Sequence, residues 1–199
     1  MDEYPMKTSF THHILRAALM VLLTTSSKAA EGGSAEPREI SVGERAPLFK
    51  LKDQNDREFS LETIMKRGPV AVVFIRSIGW CSYCQLQTVQ LSENLAKLQA
   101  AGGQVVVVCY DAPEKVKRFA ERRKINIPIL SDTNSKTIDA YGMRAASGAG
   151  DQIGSAKHGT VVIDKSGIVR SKPRLTSFEG DSAIDALMSA LKEASTAKP

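Results

Sequence analysis

Val70-Ala71-Val72-Val73-Phe74-Ile75-Arg76-Ser77-Ile78-Gly79-Trp80-Cys81-Ser82-Tyr83-Cys84-Gln85 decides how this chain folds. The first six residues are apolar on both faces, the pattern of a central parallel strand covered from two sides. A short turn follows, and a long helical pattern starts at Cys81. Two of the chain's three cysteines sit there as Cys-X-X-Cys. At a helix start this spacing puts one thiol in the first turn and the second about one turn on. Unpaired backbone N–H groups and the helix dipole favour negative charge at that place. Such a setting lowers a cysteine pKa from about 8.5 into the range ~3.5–7.5, and the thiolate is the reactive form. The stretch predicts a reactive thiol pair at the tip of a rigid strand.

A Cys-X-X-Cys pair is half of a zinc site, a structural disulfide or a redox pair. A structural zinc site takes about four ligands. Beyond the pair the chain offers Cys109 and three histidines, two of which (His12, His13) fall in a segment read below as an address. The strand–turn–helix context favours the redox pair. Cys109 ends an apolar run, Gln104 to Cys109, and reads as a small buried hydrophobe.

Working outward, Leu48 to Asp53 alternates like a half-buried strand, and Gln54 to Arg57 reads as a turn. Ser60 is placed to cap a short helix that Gly68-Pro69 ends. The helix from Cys81 is expected to bury Leu86, Val89, Leu95 and Leu98 and to close at Gly102-Gly103. Pro113 suits the first turn of the next helix. Ile127 to Leu130 leads to a helix reaching Tyr141, and residues 143–157 read as a loop. Thr160 to Ile163 and Ile168 to Arg170 form a hairpin about Asp164-Lys165-Ser166-Gly167. Asp181 caps a last helix carrying Ile184, Leu187, Met188 and Leu191. This order predicts an α/β fold, a sheet with helices on both sides and the thiol pair at the carboxyl edge, where ligand sites of such sheets gather.

Residues 1–29 read as a secretory signal: Lys7 and Arg16, a short apolar run from Ala17 to Leu23, and small Ser27 and Ala29 before a cleavage point. The run is too short to span a bilayer, which takes about 20 apolar residues. Residues 30–39 read as a flexible linker, and 40–195 as one domain. Export implies a periplasmic or secreted protein in an oxidising compartment. Lys and Arg number 27 against 22 Asp and Glu, but the signs are interspersed. The densest basic run, Lys115 to Lys124, carries Val116, Phe119 and Ala120 at helical spacing. It reads as a solvated helix face, not as a nucleic-acid or membrane patch.

From Val42 to Lys172 the chain resembles the peroxiredoxin family, the alkyl hydroperoxide reductase / thiol-specific antioxidant (AhpC/TSA) group with a thioredoxin-like fold. Val42-Gly43-Glu44-Arg45-Ala46-Pro47-Leu48-Phe49 is similar to its opening. Phe74-Ile75-Arg76 with Trp80-Cys81-Ser82-Tyr83-Cys84 resembles a branch with Trp-Cys-Pro-Tyr-Cys. Pro128 to Asp132, Ala140-Tyr141-Gly142 and Val162 to Gly167 match further segments. The resemblance implies a central mixed β-sheet flanked by helices and a peroxidase reducing hydrogen peroxide or alkyl hydroperoxides without a cofactor. It implies a thioredoxin-like or other thiol electron donor, and it allows a homodimer. The family's Thr-X-X-Cys pattern puts Cys84 in the peroxidatic place and Cys81 where it can resolve a sulfenic acid. Thioredoxin-type exchange would make Cys81 the nucleophile and the protein a thiol–disulfide oxidoreductase. Arg76 is a candidate for stabilising the thiolate or the departing oxygen charge, with a surface arginine at a strand end as the competing reading. Trp80 shields the pair and helps form a substrate surface, with core packing as the competing reading. Relatives of this branch read Pro-Gly-Thr where this chain has His158-Gly159-Thr160. His158 is therefore a candidate base or charge partner for the thiols. With Cys81 and Cys84 it is also a candidate soft three-ligand metal site, while a solvent-facing imidazole is the plain alternative.

Overall fold

The computed structural model describes residues 38–146, 152–175 and 182–197. The expected signal, all of the linker before residue 38 and the Asp181 cap lie outside the described residues. Strand β3 (Val70–Phe74) is buried at every residue. It pairs in parallel with β4 (Gln104–Cys109), Val70 against Gln104 through Phe74 against Val108. On its other side it pairs antiparallel with β6 (Gly159–Ile163), Phe74 against Gly159. β4 pairs in parallel with β5 (Ile129–Ser131), and β6 pairs antiparallel with β7 (Val169–Ser171). The hairpin of β1 (Lys50–Lys52) and β2 (Glu58–Ser60) closes the far side, giving a mixed seven-stranded sheet in the order β2-β1-β5-β4-β3-β6-β7. This is the expected α/β, thioredoxin-like arrangement.

Alternation along β3 divides the core into two layers. Ala71, Val73 and Ile75 face one layer with Val105, Val107, Leu91, Leu98, Phe119, Leu187 and Leu191. Val70, Val72 and Phe74 face the other with Val106, Val108, Leu61, Ile64, Ile138 and Tyr141. Burying each such side chain stabilises the fold by about 1.5–3 kcal/mol, so a strand apolar on both faces belongs at the centre. The first layer is covered by α2 (Ser82–Glu93), α3 (Leu95–Ala100), α4 (Pro113–Arg123) and α6 (Ser182–Thr196). The second lies under α1 (Leu61–Met65) and α5 (Lys136–Ala140). α4 buries Val116, Phe119 and Ala120 and turns its charges outward. Among the described residues, no helix is long and apolar enough to cross a membrane.

Three expectations need correction. The helix from Cys81 is two helices: Asn94 leaves helical geometry (φ −98°, ψ 12°), and its side-chain Nδ2 donates to the Gln90 carbonyl. The buried face of α2 is Cys84, Gln87, Thr88, Leu91 and Ser92, and Leu86 is exposed. Cys84 sets this phase: positions i+3, i+4 and i+7 from it share its face, whereas Leu86 falls outside that set. Thr88 and Ser92 are tolerated inside because Thr88 Oγ1 donates to the Cys84 carbonyl and Ser92 Oγ to Asn126 Oδ1. Ser60 stands at the N-cap position of α1 but makes no side-chain cap bond, because it also ends β2, a strand too short to show in the pattern.

After α5, Gly142 holds φ +63°, and a Cβ there would overlap the backbone of Arg38. The segment before β1 thereby lies against the loop, with Ile40 N donating to the Tyr141 carbonyl. Tyr141 itself is fully buried, its hydroxyl donating to the Pro47 carbonyl.

Candidate active site

β3 delivers the chain to a turn at residues 75–80 that must hold its own polar groups in place. Asp111, just past the end of the neighbouring strand β4, does this from a buried position. It accepts from Ser77 Oγ (2.8 Å) and from the Ile78 N–H (2.7 Å). Ser77 Oγ in turn accepts from the N–H groups of Gly79 and Trp80. Gln85 Nε2 closes the turn by donating to the Ile78 carbonyl. Fixed in this way, the turn ends at Cys81 as the N-cap residue of α2.

Cys81 and Cys84 form a disulfide with Cα atoms 5.2 Å apart. Both sulfurs are almost wholly enclosed. Cys81 Sγ accepts the Cys84 N–H at 3.2 Å, the capping role of a helix N-terminus taken by sulfur. The Arg76 Nη2 lies 3.4 Å from the same sulfur. Its guanidinium sits 5.4 Å above the Trp80 ring, a cation–π contact that orients it. Trp80 Nε1 donates to the Tyr110 hydroxyl at 2.8 Å.

Cys84 has a different neighbour. His158, the residue before β6, brings Nε2 to 3.3 Å from Cys84 Sγ. The Tyr83 ring meets the imidazole edge-on at 4.9 Å. Burial first, and then the Arg76 charge, hold the His158 pKa below its usual 6.5, so the ring is neutral at pH 7. The Nδ1 of His158 is buried without a hydrogen-bond partner, as is Oε1 of Gln87. Both residues line a cavity of about 360 Å³ with Tyr83, Lys172, Arg174 and Leu175.

All five sequence-expected residues thus converge: Arg76, Trp80 and Cys81 on one side of the disulfide, Cys84 and His158 on the other. Arg76 contacts the sulfur of Cys81 rather than that of Cys84. The solvent-facing alternative for His158 does not apply, since its ring lies against Cys84 and Tyr83. Cys109 is buried as expected, and its thiol is pushed well up, first by burial and then by the charge of Asp111. Asp111, Tyr110 and Tyr83 were not singled out from the sequence. Asp111 carries a readable signal, a carboxyl two residues after a buried strand at the carboxyl edge of the sheet.

The model of the AhpC/TSA family matches residues 42–172. The chain belongs to the AhpC/TSA family. It is 30% identical over 104 residues to peroxiredoxin Bcp of Escherichia coli K12, a match to 52% of this chain and 65% of that protein. It thus spans somewhat less than two thirds of that relative's length. It is 29% identical over 133 residues to alkyl hydroperoxide reductase E of Mycobacterium tuberculosis, covering 66% of this chain and 83% of the relative. A solved peroxiredoxin-like protein from Aquifex aeolicus superposes with a TM-score of 0.64 at 25% identity, covering 77% of this chain and 89% of that one. Peroxidoxin BcpB of Mycobacterium tuberculosis shares the fold, with a TM-score of 0.66 at 22% identity over 77% and 97% of the two chains. Within this AhpC/TSA member the two sulfurs are electrostatically unlike: one faces a cation and a backbone N–H, the other a neutral imidazole.

Proposed function

We propose that this protein is a thiol peroxidase that reduces hydrogen peroxide or an alkyl hydroperoxide through Cys84 and Cys81. The observation that carries the reading is the 3.3 Å approach of His158 Nε2 to Cys84 Sγ beside a cysteine already able to close a disulfide. In the reduced chain the neutral imidazole takes the Cys84 proton. The Cys84 thiolate attacks the terminal peroxide oxygen, the O–O bond breaks, and the imidazolium returns the proton to the leaving alkoxide. Cys84 is then a sulfenic acid. Cys81, held as thiolate by Arg76 and the Cys84 N–H, attacks the Cys84 sulfur and expels hydroxide, which takes a proton from solvent to become water; the disulfide remains. A dithiol donor, such as a thioredoxin-like protein, regenerates the pair by exchange. Trp80 and Arg76 form the face over Cys81 on which that donor docks. The address-like pattern of residues 1–29 adds export to this reading, which sizing of the mature protein in cell fractions tests.

Trp80 is the single tryptophan and adjoins Cys81. Its fluorescence after mixing the reduced chain with hydrogen peroxide is the test. A change far faster than oxidation of a free thiol at the same pH is expected. It is lost in Cys84→Ser, while Cys81→Ser leaves a sulfenic acid on Cys84 that dimedone traps. Oxidation no faster than that of a free thiol removes the reading.

A second reading has its own observation. Both the Arg76 guanidinium and the Cys84 N–H favour a thiolate on Cys81, the sulfur that would attack a protein disulfide. Under that reading the chain reduces insulin disulfides faster than peroxide, and Cys84→Ser accumulates a mixed disulfide on Cys81.

A further inference from the structure

We propose that the reduced chain binds a soft monovalent metal ion, copper(I), through Cys81 Sγ, Cys84 Sγ and His158. The proposal is independent of peroxide turnover. The three ligand atoms already lie within 4.8 Å of one another. A trigonal ion about 2.2 Å from each of three ligands places those ligands about 3.8 Å apart. His158 Nε2, at 3.3 Å from Cys84 Sγ, is within about 0.5 Å of that spacing. Reduction lets the sulfurs part from a disulfide's roughly 2 Å, and both side chains stay on a backbone fixed by the Asp111-pinned turn and by α2.

Three features select the ion. Two thiolates and an imidazole are a soft donor set, which suits copper(I). Among the described residues the cluster holds three donors, enough for copper(I) and one short of a structural zinc site. Charge points the same way. Two thiolates and one copper(I) leave a single negative charge, and the Arg76 guanidinium lies 3.4 Å from Cys81 Sγ to offset it. With zinc(II) the cluster is neutral and that cation is left without a counter-charge.

The surroundings of His158 add support. Ligation through Nε2 puts the ring proton on Nδ1, which then needs an acceptor. Gln87 Oε1 is a buried acceptor without a donor, and it lines the same cavity as His158. One bridging water there satisfies both atoms.

Metal and disulfide exclude each other. A dithiol donor gives two electrons and two protons to the disulfide, yielding two thiols and its own disulfide. Copper(I) then displaces the two thiol protons. Oxidation of the pair by peroxide re-forms the disulfide, yields water and removes two of the three ligands.

The test uses the full chain, reduced with a phosphine, freed of reductant under nitrogen and titrated with copper(I) against a chromogenic copper(I) chelator. One ion per chain is expected, with none bound by the disulfide form. His158→Ala is expected to weaken binding at least about 10-fold, the lower end of what loss of a mere supporting group costs a metal site. Copper X-ray absorption of the wild-type chain should show two sulfur ligands and one nitrogen. A wild-type spectrum with sulfur alone overturns the proposal whatever the variant's folding does. Affinity of a folded His158→Ala within twofold of wild type, or displacement of the copper by zinc(II), also overturns it.

Discussion

Cys81 and Cys109 stand at the same edge of the sheet, one just beyond β3 and the other ending β4, its parallel neighbour. Both are almost fully buried. Their charged neighbours differ in sign. Cys81 has left its strand and become the cap of a helix, where it receives a backbone N–H and faces Arg76. Cys109 is still within its strand, and the charge that acts on it is that of Asp111. Within one apolar layer, the first thiol meets a helix N-terminus and a cation, the second an anion. Burial alone therefore says little about a cysteine; the sign of the groups around it decides.

The comparison breaks most directly by alkylation. At pH 9 an ordinary thiol of pKa about 8.5 is mostly ionised, but a raised pKa keeps Cys109 protonated. In the folded, reduced chain iodoacetamide should label Cys81 about 100-fold or more faster than Cys109, and urea should erase the difference. Peptide mass spectrometry over time reads this; equal labelling before unfolding contradicts it.

From the Cys81 side, Arg76→Gln in a Cys84→Ser background should slow labelling of Cys81 at pH 7 by up to about tenfold. Arg76 is exposed, so the effect should shrink as salt is raised. From the Cys109 side, Asp111→Asn removes the like charge and should speed labelling of Cys109 about threefold, with the thiol pKa moving down. The same change weakens the bonds to Ser77 and Ile78 and should cost about 1–3 kcal/mol in urea unfolding. The smallest effect is expected at Thr88→Val, which removes only the bond to the Cys84 carbonyl: about 1 kcal/mol or less, with Cys81 reactivity unchanged.

Much of this architecture could be read from the chain. The apolar runs of β3 and β4 admit no place but the sheet centre, and Pro113 and the Asp164-to-Gly167 turn mark their elements by backbone restriction. The pair at the start of α2, Arg76 and His158 were expected near one another, and they are. What stayed hidden depends on contacts between distant segments. The inward face of α2 carries Gln87, Thr88 and Ser92, polar residues that a hydrophobic pattern assigns to solvent and that only their partners permit inside. The break at Asn94 is a local bond to the Gln90 carbonyl that leaves no gap in the apolar spacing. Asp111 holds a turn more than thirty residues before it, which only the parallel pairing of β3 and β4 makes possible.

The pairing of Phe74 with Gly159 gives position 158 a particular freedom. The two sulfurs belong to one helix start and are placed by the turn before it. The group facing them stands just before another strand, 74 residues from Cys84, and is aimed by that strand's antiparallel register. Replacing the occupant of position 158 is thus expected to leave the turn, the helix and the disulfide in place. An imidazole there brings a nitrogen to 3.3 Å from Cys84 Sγ; a residue without lone pairs would leave a plain dithiol. One codon, remote from the cysteines, sets which group meets the same two sulfurs.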